Sequence, residues 1–108
     1  MLMDAALRAI ADPIRRRILS LVWREERTAG EIAARFEVSQ PAISQHLKVL
    51  RETGLVAVRR DGTRRFYRAD HTSMAGVRAV VEAFWDDRLA VLKAEAEASQ
   101  RRRDTDAG

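Results

Sequence analysis

The segment from Ser39 to Lys48 combines side chains that can hydrogen-bond to the edges of nucleic-acid bases. Drawn as a helix, it places Ile43 and Leu47 on one inward face. The side chains left outside are hydroxyls, amides, an imidazole and an ammonium group: Ser39, Gln40, Ser44, Gln45, His46 and Lys48. A glutamine amide can bond N6 and N7 of adenine together, and serine, histidine and lysine can reach base edges or phosphates. Because a helix fits the major groove of DNA, this face predicts a recognition helix.

A second cluster consists of arginines on both sides of a predicted β-hairpin turn. Residues 55–60 and 64–69 are rich in β-forming residues, and Asp61-Gly62 between them supplies the positive φ of a tight turn, although Thr63 also permits a longer loop. The arginines next to the turn are Arg59, Arg60, Arg64 and Arg65. Beside a recognition helix they would reach flanking phosphates or the minor groove. The alternative is a hairpin that only packs on the core through Leu55, Val56, Val58 and Phe66, and both can hold because strand residues alternate in direction.

The charge of the chain is concentrated in this same region. The 108 residues include 20 Lys and Arg, only two of them Lys, and 16 Asp and Glu, which gives a net charge of +4 and a pI near 10.6. Between Ser39 and Arg68 the net charge is +5, whereas the other 78 residues sum to −1. Such clustering is typical of a protein that binds a polyanion, and the alternative is a solvated basic hairpin.

Two helices are predicted ahead of this region. The first covers Met3 to Ala11, with Leu7 and Ile10 on one side. Asp12-Pro13 is then typical of an N-cap followed by proline at the first helical position. The second helix runs from Pro13 to about Arg24, and its inward stripe consists of Ile14, Ile18, Leu21 and Val22.

The next two helices form a helix-turn-helix pattern. Thr28 to Glu31 fits a capping box, in which the hydroxyl and the carboxylate each satisfy a backbone amide of the other residue. The short helix that follows is expected to turn Ile32, Ala33 and Phe36 inward. Ser39 is the next N-cap, and the helix after it runs to about Thr53, where Gly54 ends it.

A long last helix is predicted from about Thr72 to Ala98. Its apolar set is too wide for an exposed helix of a monomer, so a second surface must cover it, either in a dimer or by a fold-back onto its own domain. The residues assigned to a dimer interface on this helix are Val77, Val81, Phe84, Trp85, Leu89 and Leu92. A two-fold dimer would present two recognition helices to an inverted-repeat operator. Residues 1–98 are thus predicted to form one domain, and residues 99–108 a disordered tail.

From about Leu7 to Leu92 the sequence resembles the ArsR/SmtB family of bacterial winged helix-turn-helix repressors. The most specific match is the run from Val38 to Leu50, continued by Gly54-Leu55-Val56 to the wing at Gly62, and residues 12–19 match the family's usual second-helix opening. The resemblance implies a mainly α fold with a β-hairpin wing, in the order α-α-α-α-β-β-α. It also implies DNA contacts by Gln40, Ser44 and Gln45 with wing arginines behind them. A homodimer built from the first and last helices is implied too, which adds Leu7 to the interface.

The chain departs from the metal-sensing members that it resembles. It contains no cysteine, which excludes thiolate sites and disulfides. The four positions of the last-helix metal site correspond to His71, Ser73, Phe84 and Asp87, of which two cannot ligate zinc, so neither a metal nor a cofactor is expected. The stretch from Phe84 to Lys93 resembles a branch without recognisable metal ligands.

The sequence favours a homodimeric repressor that binds DNA sequence-specifically and represses its own gene. We expect this protein to lie in the cytoplasm and to have no enzymatic activity. The sequence contains no HExxH motif, nucleophile elbow, glycine-rich phosphate loop, long apolar run or signal peptide. Two alternatives remain open: a metal-responsive repressor with a degenerate site, and a protein-interaction module of the same fold. Small-molecule, metal and protein effectors are all left open.

Overall fold

The structure, a computed structural model, describes residues 3–107, with side chains through residue 105. It contains five helices and one antiparallel hairpin in these residues: α1 (Met3–Ala11), α2 (Pro13–Leu21), α3 (Ala29–Ala33), α4 (Gln40–Glu52), β1 (Val56–Asp61), β2 (Arg64–Ala69) and α5 (His71–Ala107). The predicted element order is confirmed. By its internal contacts the chain divides after Val77 into a body and the rest of α5.

Three predicted N-caps start the helices of the body. The Asp12 carboxylate accepts hydrogen bonds from the amides of Ile14 (2.8 Å) and Arg15 (3.2 Å), and the Ser39 hydroxyl accepts from Ala42 (3.3 Å). The Thr28 hydroxyl accepts from the Glu31 amide at 3.2 Å. The second half of the predicted capping box differs, since the Glu31 carboxylate accepts from the Thr28 hydroxyl (3.1 Å) instead of from its amide. Each cap satisfies amide groups that a helix start leaves without partners.

Helix α2 is shorter than predicted, and its arginines serve neighbouring helix ends. It stops at Leu21 instead of near Arg24, and Arg27 Nε donates to the Leu21 carbonyl at 2.9 Å, which satisfies this helix end. Arg15 Nε donates to the Ala9 carbonyl (2.7 Å), and Arg16 Nη1 donates to the Ile10 and Ala11 carbonyls (2.8 and 2.9 Å). Cations at a helix C-terminus satisfy its last carbonyls and its dipole. These two arginines therefore hold α1 onto α2.

The core lies where α1, α2, α3, α4 and the hairpin meet. Its largest fully buried side chains come from α2, α3, α4 and the residues just after α2 and just before β1. They are Ile18, Val22, Ile32, Ile43, Leu47, Leu50 and Leu55. Helix α1 differs from the expectation, because Ala6 and Ala9 are buried while Leu7 and Ile10 are half-buried. The small alanines let α1 approach closely, which leaves its larger side chains at the margin. Several other residues predicted to point inward are also half-buried: Ile14, Leu21, Ala33 and Phe36.

Two glycines with positive φ direct the chain from α4 into the hairpin and around its turn. Gly54 (φ 77°) and Leu55 donate to the carbonyls of Arg51 and Leu50, at 3.0 and 2.9 Å, which is the Schellman pattern of helix termination. The hairpin turn is tight, as predicted, but lies one residue later than Asp61-Gly62, because Asp61 pairs with Arg64 and Gly62-Thr63 lies between the strands. Gly62 (φ 63°) occupies the first loop position, as in a type II′ turn.

Helix α5 begins one residue earlier and ends later than predicted. The Asp70 carboxylate accepts from the Ser73 amide at 2.9 Å and caps its start. The helix continues through Ala107, where a disordered tail was expected beyond Ala98. Gln100 donates to Asp104 (2.9 Å), and the Thr105 hydroxyl donates to the Arg101 carbonyl (3.0 Å), so side chains one turn apart support this end.

The apolar residues of α5 fall into two groups. Val77 is only 2% exposed and belongs to the core of the body, so the structure corrects its assignment to a dimer interface. From Arg78 onward the large apolar side chains are exposed instead, with Phe84 at 51%, Trp85 at 55% and Leu89 at 56%. Val80, Val91 and Leu92 are exposed as well, whereas Val81 is half-buried. None of the described helices is long and apolar enough to cross a membrane.

Replacing Asp12 tests the cap that begins α2. Asp12→Ala should lower the free energy of unfolding by about 1 kcal/mol at pH 7, because two amides lose their acceptor. Burial raises the pKa of the Asp12 carboxyl, but the Arg15 and Ile14 amides and the charges of His46 and Arg15 lower it by more, so it lies below 3.8. The stabilisation is therefore present above the unfolded-state pKa of 3.8 and is lost as the pH falls through the lower folded-state pKa.

Chemical denaturation at pH 7 and pH 3 measures this difference. Asp12→Asn is the matched control, since its amide oxygen still accepts but does not titrate, and its stability should vary less with pH than that of the wild type. Equal stability of the wild type and Asp12→Ala at pH 7 would show that the cap contributes nothing.

Candidate nucleic-acid interface

Helix α4 presents a polar face because three buried residues fix its rotation. Ile43, Leu47 and Leu50 are at most 1% exposed and anchor the helix in the core. Five of the six residues predicted for the recognition helix lie on its outer side and are exposed: Ser39, Gln40, Ser44, Gln45 and Lys48. The resulting surface carries amides, hydroxyls and one cation.

His46 lies apart from those five residues. Its side chain is half-buried, and its charge is one of the influences that lower the pKa of Asp12, after burial, which raises it, and the amides that bond the carboxylate. His46 thus turns toward the start of α2. The structure does not group it with the exposed polar face.

A groove of about 290 Å³ separates α4 from strand β2. Ser44, Gln45, Lys48 and Arg51 line it from the helix, and Arg65 and Tyr67 line it from the strand, with Leu47 at its base. Arg51 was not among the residues predicted for the site. The signal was present, because Ser44, Lys48 and Arg51 follow each other at helical spacings of four and three residues and so share one face.

Strand alternation divides the four predicted wing arginines into two pairs. Arg60 and Arg65 are cross-strand partners on the face that also carries Val58 and Tyr67. Arg59 lies opposite Phe66 on the other face. There the guanidiniums of Arg59 and Arg64 lie over the Phe66 ring, at 4.6 and 5.0 Å from its centroid. Only Arg65 of the four lines the groove beside α4.

The two arginines on the reverse face are paired with carboxylates. Arg59 Nε lies 3.1 Å from both carboxylate oxygens of Glu26, and Arg59 Nη2 also donates to this carboxylate. Arg64 lies 3.6 Å from Glu31. By contrast, Lys48, Arg51, Arg60 and Arg65 form no ion pair with any carboxylate among the described residues. Of the four predicted wing arginines, the two without a carboxylate partner, Arg60 and Arg65, therefore share the α4 side of the hairpin.

The segment after α2 attaches the hairpin to the body. The Arg27 amide donates to the Tyr67 carbonyl at 3.0 Å, and the Tyr67 amide donates to the Arg27 carbonyl at 2.8 Å. The Ala69 amide donates to the Val22 carbonyl at 3.0 Å. These bonds hold β2, and with it Arg65, in a defined position beside α4.

Comparison with known proteins identifies the family. Residues 12–58, from the cap of α2 into β1, match the family described as bacterial regulatory protein, arsR family. Over 82 residues the chain is 44% identical to the HTH-type transcriptional regulator Rv2034 of Mycobacterium tuberculosis, which covers 76% of this chain and 77% of that protein. The chain belongs to the arsR family of bacterial regulatory proteins. The members of this family are transcriptional regulators rather than enzymes.

Two further transcriptional regulators are similar to this chain. The chain is 39% identical over 70 residues to the transcriptional repressor SdpR of Bacillus subtilis, covering 65% of this chain and 78% of that one. The crystal structure of a possible transcriptional regulator for arsenical resistance is 46% identical, with a TM-score of 0.72, and covers 82% of this chain and 93% of its own.

A solution structure shows the same fold in a homodimeric protein. It is the homodimeric winged helix-turn-helix DNA-binding domain of a possible ArsR-family regulator from Mycobacterium bovis. It is 33% identical, with a TM-score of 0.61, and covers 79% of this chain and 82% of that chain. The winged helix-turn-helix fold and the family resemblance are thereby confirmed.

The last-helix metal positions suggested by the resemblance do not form a ligand cluster. His71 Nε2 lies 2.7 Å from the Trp23 carbonyl, and its ring is 4.5 Å from the Trp23 ring. Because a carbonyl oxygen only accepts hydrogen bonds, His71 Nε2 donates its proton to this bond and is not free to ligate a metal. Within residues 3–105, no three His, Asp or Glu side chains lie together in a way that could hold a metal ion.

The Glu26 carboxylate reports on the anchoring of Arg59. The hydrogen bond from Arg59 lowers the pKa of Glu26 below 4.5, with smaller contributions from burial, which raises it, and from the charges of Arg59 and Arg68. In Arg59→Ala the pKa of Glu26 should rise toward 4.5, because the bidentate donor is gone. Carboxyl-detected NMR titration measures it, with Glu31 as an internal reference. An identical Glu26 pKa in wild type and variant would mean that the pair does not form in solution.

Proposed function

We propose that the chain is a sequence-specific transcriptional repressor that binds DNA as a homodimer, with α4 in the major groove and the hairpin as a wing. One observation carries the proposal: the exposed polar face of α4 adjoins Arg65 and Arg51 in a groove whose cations have no carboxylate partner among the described residues. Charge that the protein does not neutralise itself is suited to phosphates. The cytoplasm, where bacterial DNA lies, is the proposed compartment.

The geometry supports a division of roles along this surface. Gln40, Ser44 and Gln45 occupy the N-terminal half of α4, the part of a recognition helix that usually meets bases. Lys48, Arg51 and Arg65 lie farther along the groove and are proposed to bind phosphates. Phosphate contacts set the orientation of the helix, whereas the amides and hydroxyls select the sequence.

The homodimer is proposed from the exposed apolar side chains of α5. Phe84, Trp85 and Leu89 are each more than half exposed, and Leu92 is as exposed as Leu89. Clusters of large exposed apolar residues mark interaction surfaces. The homodimeric state of the Mycobacterium bovis domain supports a second copy as the partner. We include Leu7 of α1 in this interface, and Val81 with it, but not Val77.

Two-fold symmetry determines the form of the operator. Two recognition helices related by a two-fold axis contact half-sites in opposite orientation, about one DNA turn or about 34 Å apart. The proposed operator is therefore an inverted repeat. We further propose autoregulation, with an operator upstream of the chain's own coding sequence.

Replacing Gln45 tests the proposed base contact. Gln45→Ala should reduce the preference for the operator over a scrambled duplex by about 1–3 kcal/mol, because a bidentate contact to a base is lost. Its stability should change by less than about 0.5 kcal/mol, since the side chain is exposed. Fluorescence anisotropy with both duplexes measures the preference, and Gln100→Ala, on α5, is the matched control.

If Gln45→Ala preferred the operator over the scrambled duplex as strongly as the wild type does, Gln45 would not take part in base recognition. Equal affinity of the wild type for operator and scrambled DNA at physiological salt would instead favour a protein-interaction module.

Replacing Arg65 tests the proposed phosphate contact against a matched arginine on the reverse face. Arg65→Ala should weaken binding to all duplexes and lower the slope of log affinity against log salt by about one. Arg59→Ala should leave that slope unchanged, because its guanidinium already pairs with Glu26. Anisotropy titrations at four or more salt concentrations give both slopes. Equal loss of slope in the two variants would contradict the division of the wing arginines between its faces.

A further inference from the structure

The body contains a cavity of about 600 Å³ that the proposed DNA surface does not use. It is an open cavity lined by residues of α1 and α2, of the segment after α2 and of the first turn of α5. Its apolar walls are formed by Ile10, Leu19, Leu21, Trp23 and Met74. Cavities of about 300–1,000 Å³ with mainly apolar walls and a few polar groups are typical of small-molecule sites.

The charged residues that line this cavity carry a net positive charge. Arg16, Arg24, Arg27 and one carboxylate, Glu25, line it. Arg16 and Arg27 are engaged with backbone carbonyls, and Arg27 lies 3.5 Å from Glu25. Arg24 is different, because it forms neither a hydrogen bond nor an ion pair with another of the residues 3–105. An apolar chamber thus opens next to a cation that the body does not neutralise.

We propose that this cavity binds a small amphipathic anion, with its apolar part against Trp23 and Met74 and its anionic group at Arg24. The walls favour a hydrophobic or aromatic body, since burial of apolar surface drives binding there. The guanidinium favours a carboxylate or sulfonate, to which it can donate two parallel hydrogen bonds. Glu25, which also lines the cavity, would repel an anionic ligand, but the positive charges of Arg16, Arg24 and Arg27 together outweigh it.

The segment that forms one wall of the cavity also holds the wing. Arg27 lines the cavity, and its backbone forms the pair of hydrogen bonds with Tyr67. Glu26, one residue earlier, holds Arg59 of β1. Tyr67 in turn lines the groove with Gln45 and Arg65. An occupant that displaces Arg27 would therefore shift β2, the strand that carries Arg65. The effect of this shift on DNA binding rests on the proposed function, whereas the binding of the ligand does not.

Two probes that differ only in charge test the proposal without DNA. 1-Anilinonaphthalene-8-sulfonate supplies an aromatic body with a sulfonate, and N-phenyl-1-naphthylamine supplies the same rings without it. In ¹⁵N-labelled full chain, the sulfonate probe should shift the indole resonance of Trp23 and not that of Trp85. Trp85→Phe assigns the two signals, because the chain contains only two tryptophans.

Charge and volume variants identify the contacts. Arg24→Gln should weaken the sulfonate probe about tenfold and leave the neutral probe within about twofold, because only the charged hydrogen bond is lost. Arg8→Gln, an exposed arginine of α1, should change neither affinity. Ser20→Phe, which fills the cavity from the exposed side of α2, should abolish binding of both probes while circular dichroism shows an intact fold.

Three results would overturn the proposal. The first is a shift of Trp85 without Trp23, which would place the probe on the apolar side of α5. The second is unchanged affinity for the sulfonate probe in Arg24→Gln and Ser20→Phe. The third is loss of probe binding as protein concentration rises, together with dissociation of the dimer by Ser20→Phe, which would show that a second copy occupies the cavity.

Discussion

The rotation of α4 about its axis is the constraint on which the rest of this molecule depends. Burial of Ile43, Leu47 and Leu50 sets it, and full burial of each such side chain contributes about 1.5–3 kcal/mol. A different rotation would place apolar side chains in water and amides in the core. Because the helix is held in this way, Ser44, Gln45 and Lys48 face outward together. The polar surface is thus a consequence of the core beneath it.

The wing depends on a second set of contacts, which involve backbone more than side chains. The Arg27–Tyr67 pair of hydrogen bonds makes the segment after α2 a short third partner of the hairpin. Alternation along β2 then directs Tyr67 and Arg65 toward α4, and Phe66 away from it. Arginine accordingly has different roles at neighbouring positions. Some arginines close helix ends, some pair with glutamates, and the remainder are free of carboxylate partners among the described residues.

Local signals were sufficient for much of the fold. The caps at Asp12, Thr28 and Ser39, the glycine after α4 and the 3.6-residue periodicity of α4 each act over a few residues, so the sequence alone located these helices. The same periodicity placed Ser44, Gln45 and Lys48 on one face. The family resemblance from the run between Val38 and Leu50 predicted the winged helix-turn-helix, and the comparisons confirmed it.

The remaining differences arise from contacts between distant parts of the chain. Glu26 and Arg59 are 33 residues apart, so no local pattern shows that Arg59 is paired. The last carbonyl of α2 is satisfied by Arg27, beyond the end of the helix, and Ala6 and Ala9 rather than Leu7 enter the core where α1 packs on the body. Val77 follows the periodicity of an interface residue, yet it contributes to the core of the body. In α5 the side-chain pairs near Gln100 extend a helix that composition alone assigned to a tail.

The α4 face and the exposed apolar residues of α5 both point to the same arrangement, which is a homodimer. A dimer related by a two-fold axis would cover the second and duplicate the first, so that DNA is contacted twice with inverted polarity. Hydroxyl-radical footprinting on the DNA upstream of the chain's own coding sequence tests this most directly. We expect two protected half-sites in inverted orientation, with centres about 10 base pairs apart. A single protected half-site, direct repeats or uniform protection without sequence preference would contradict it.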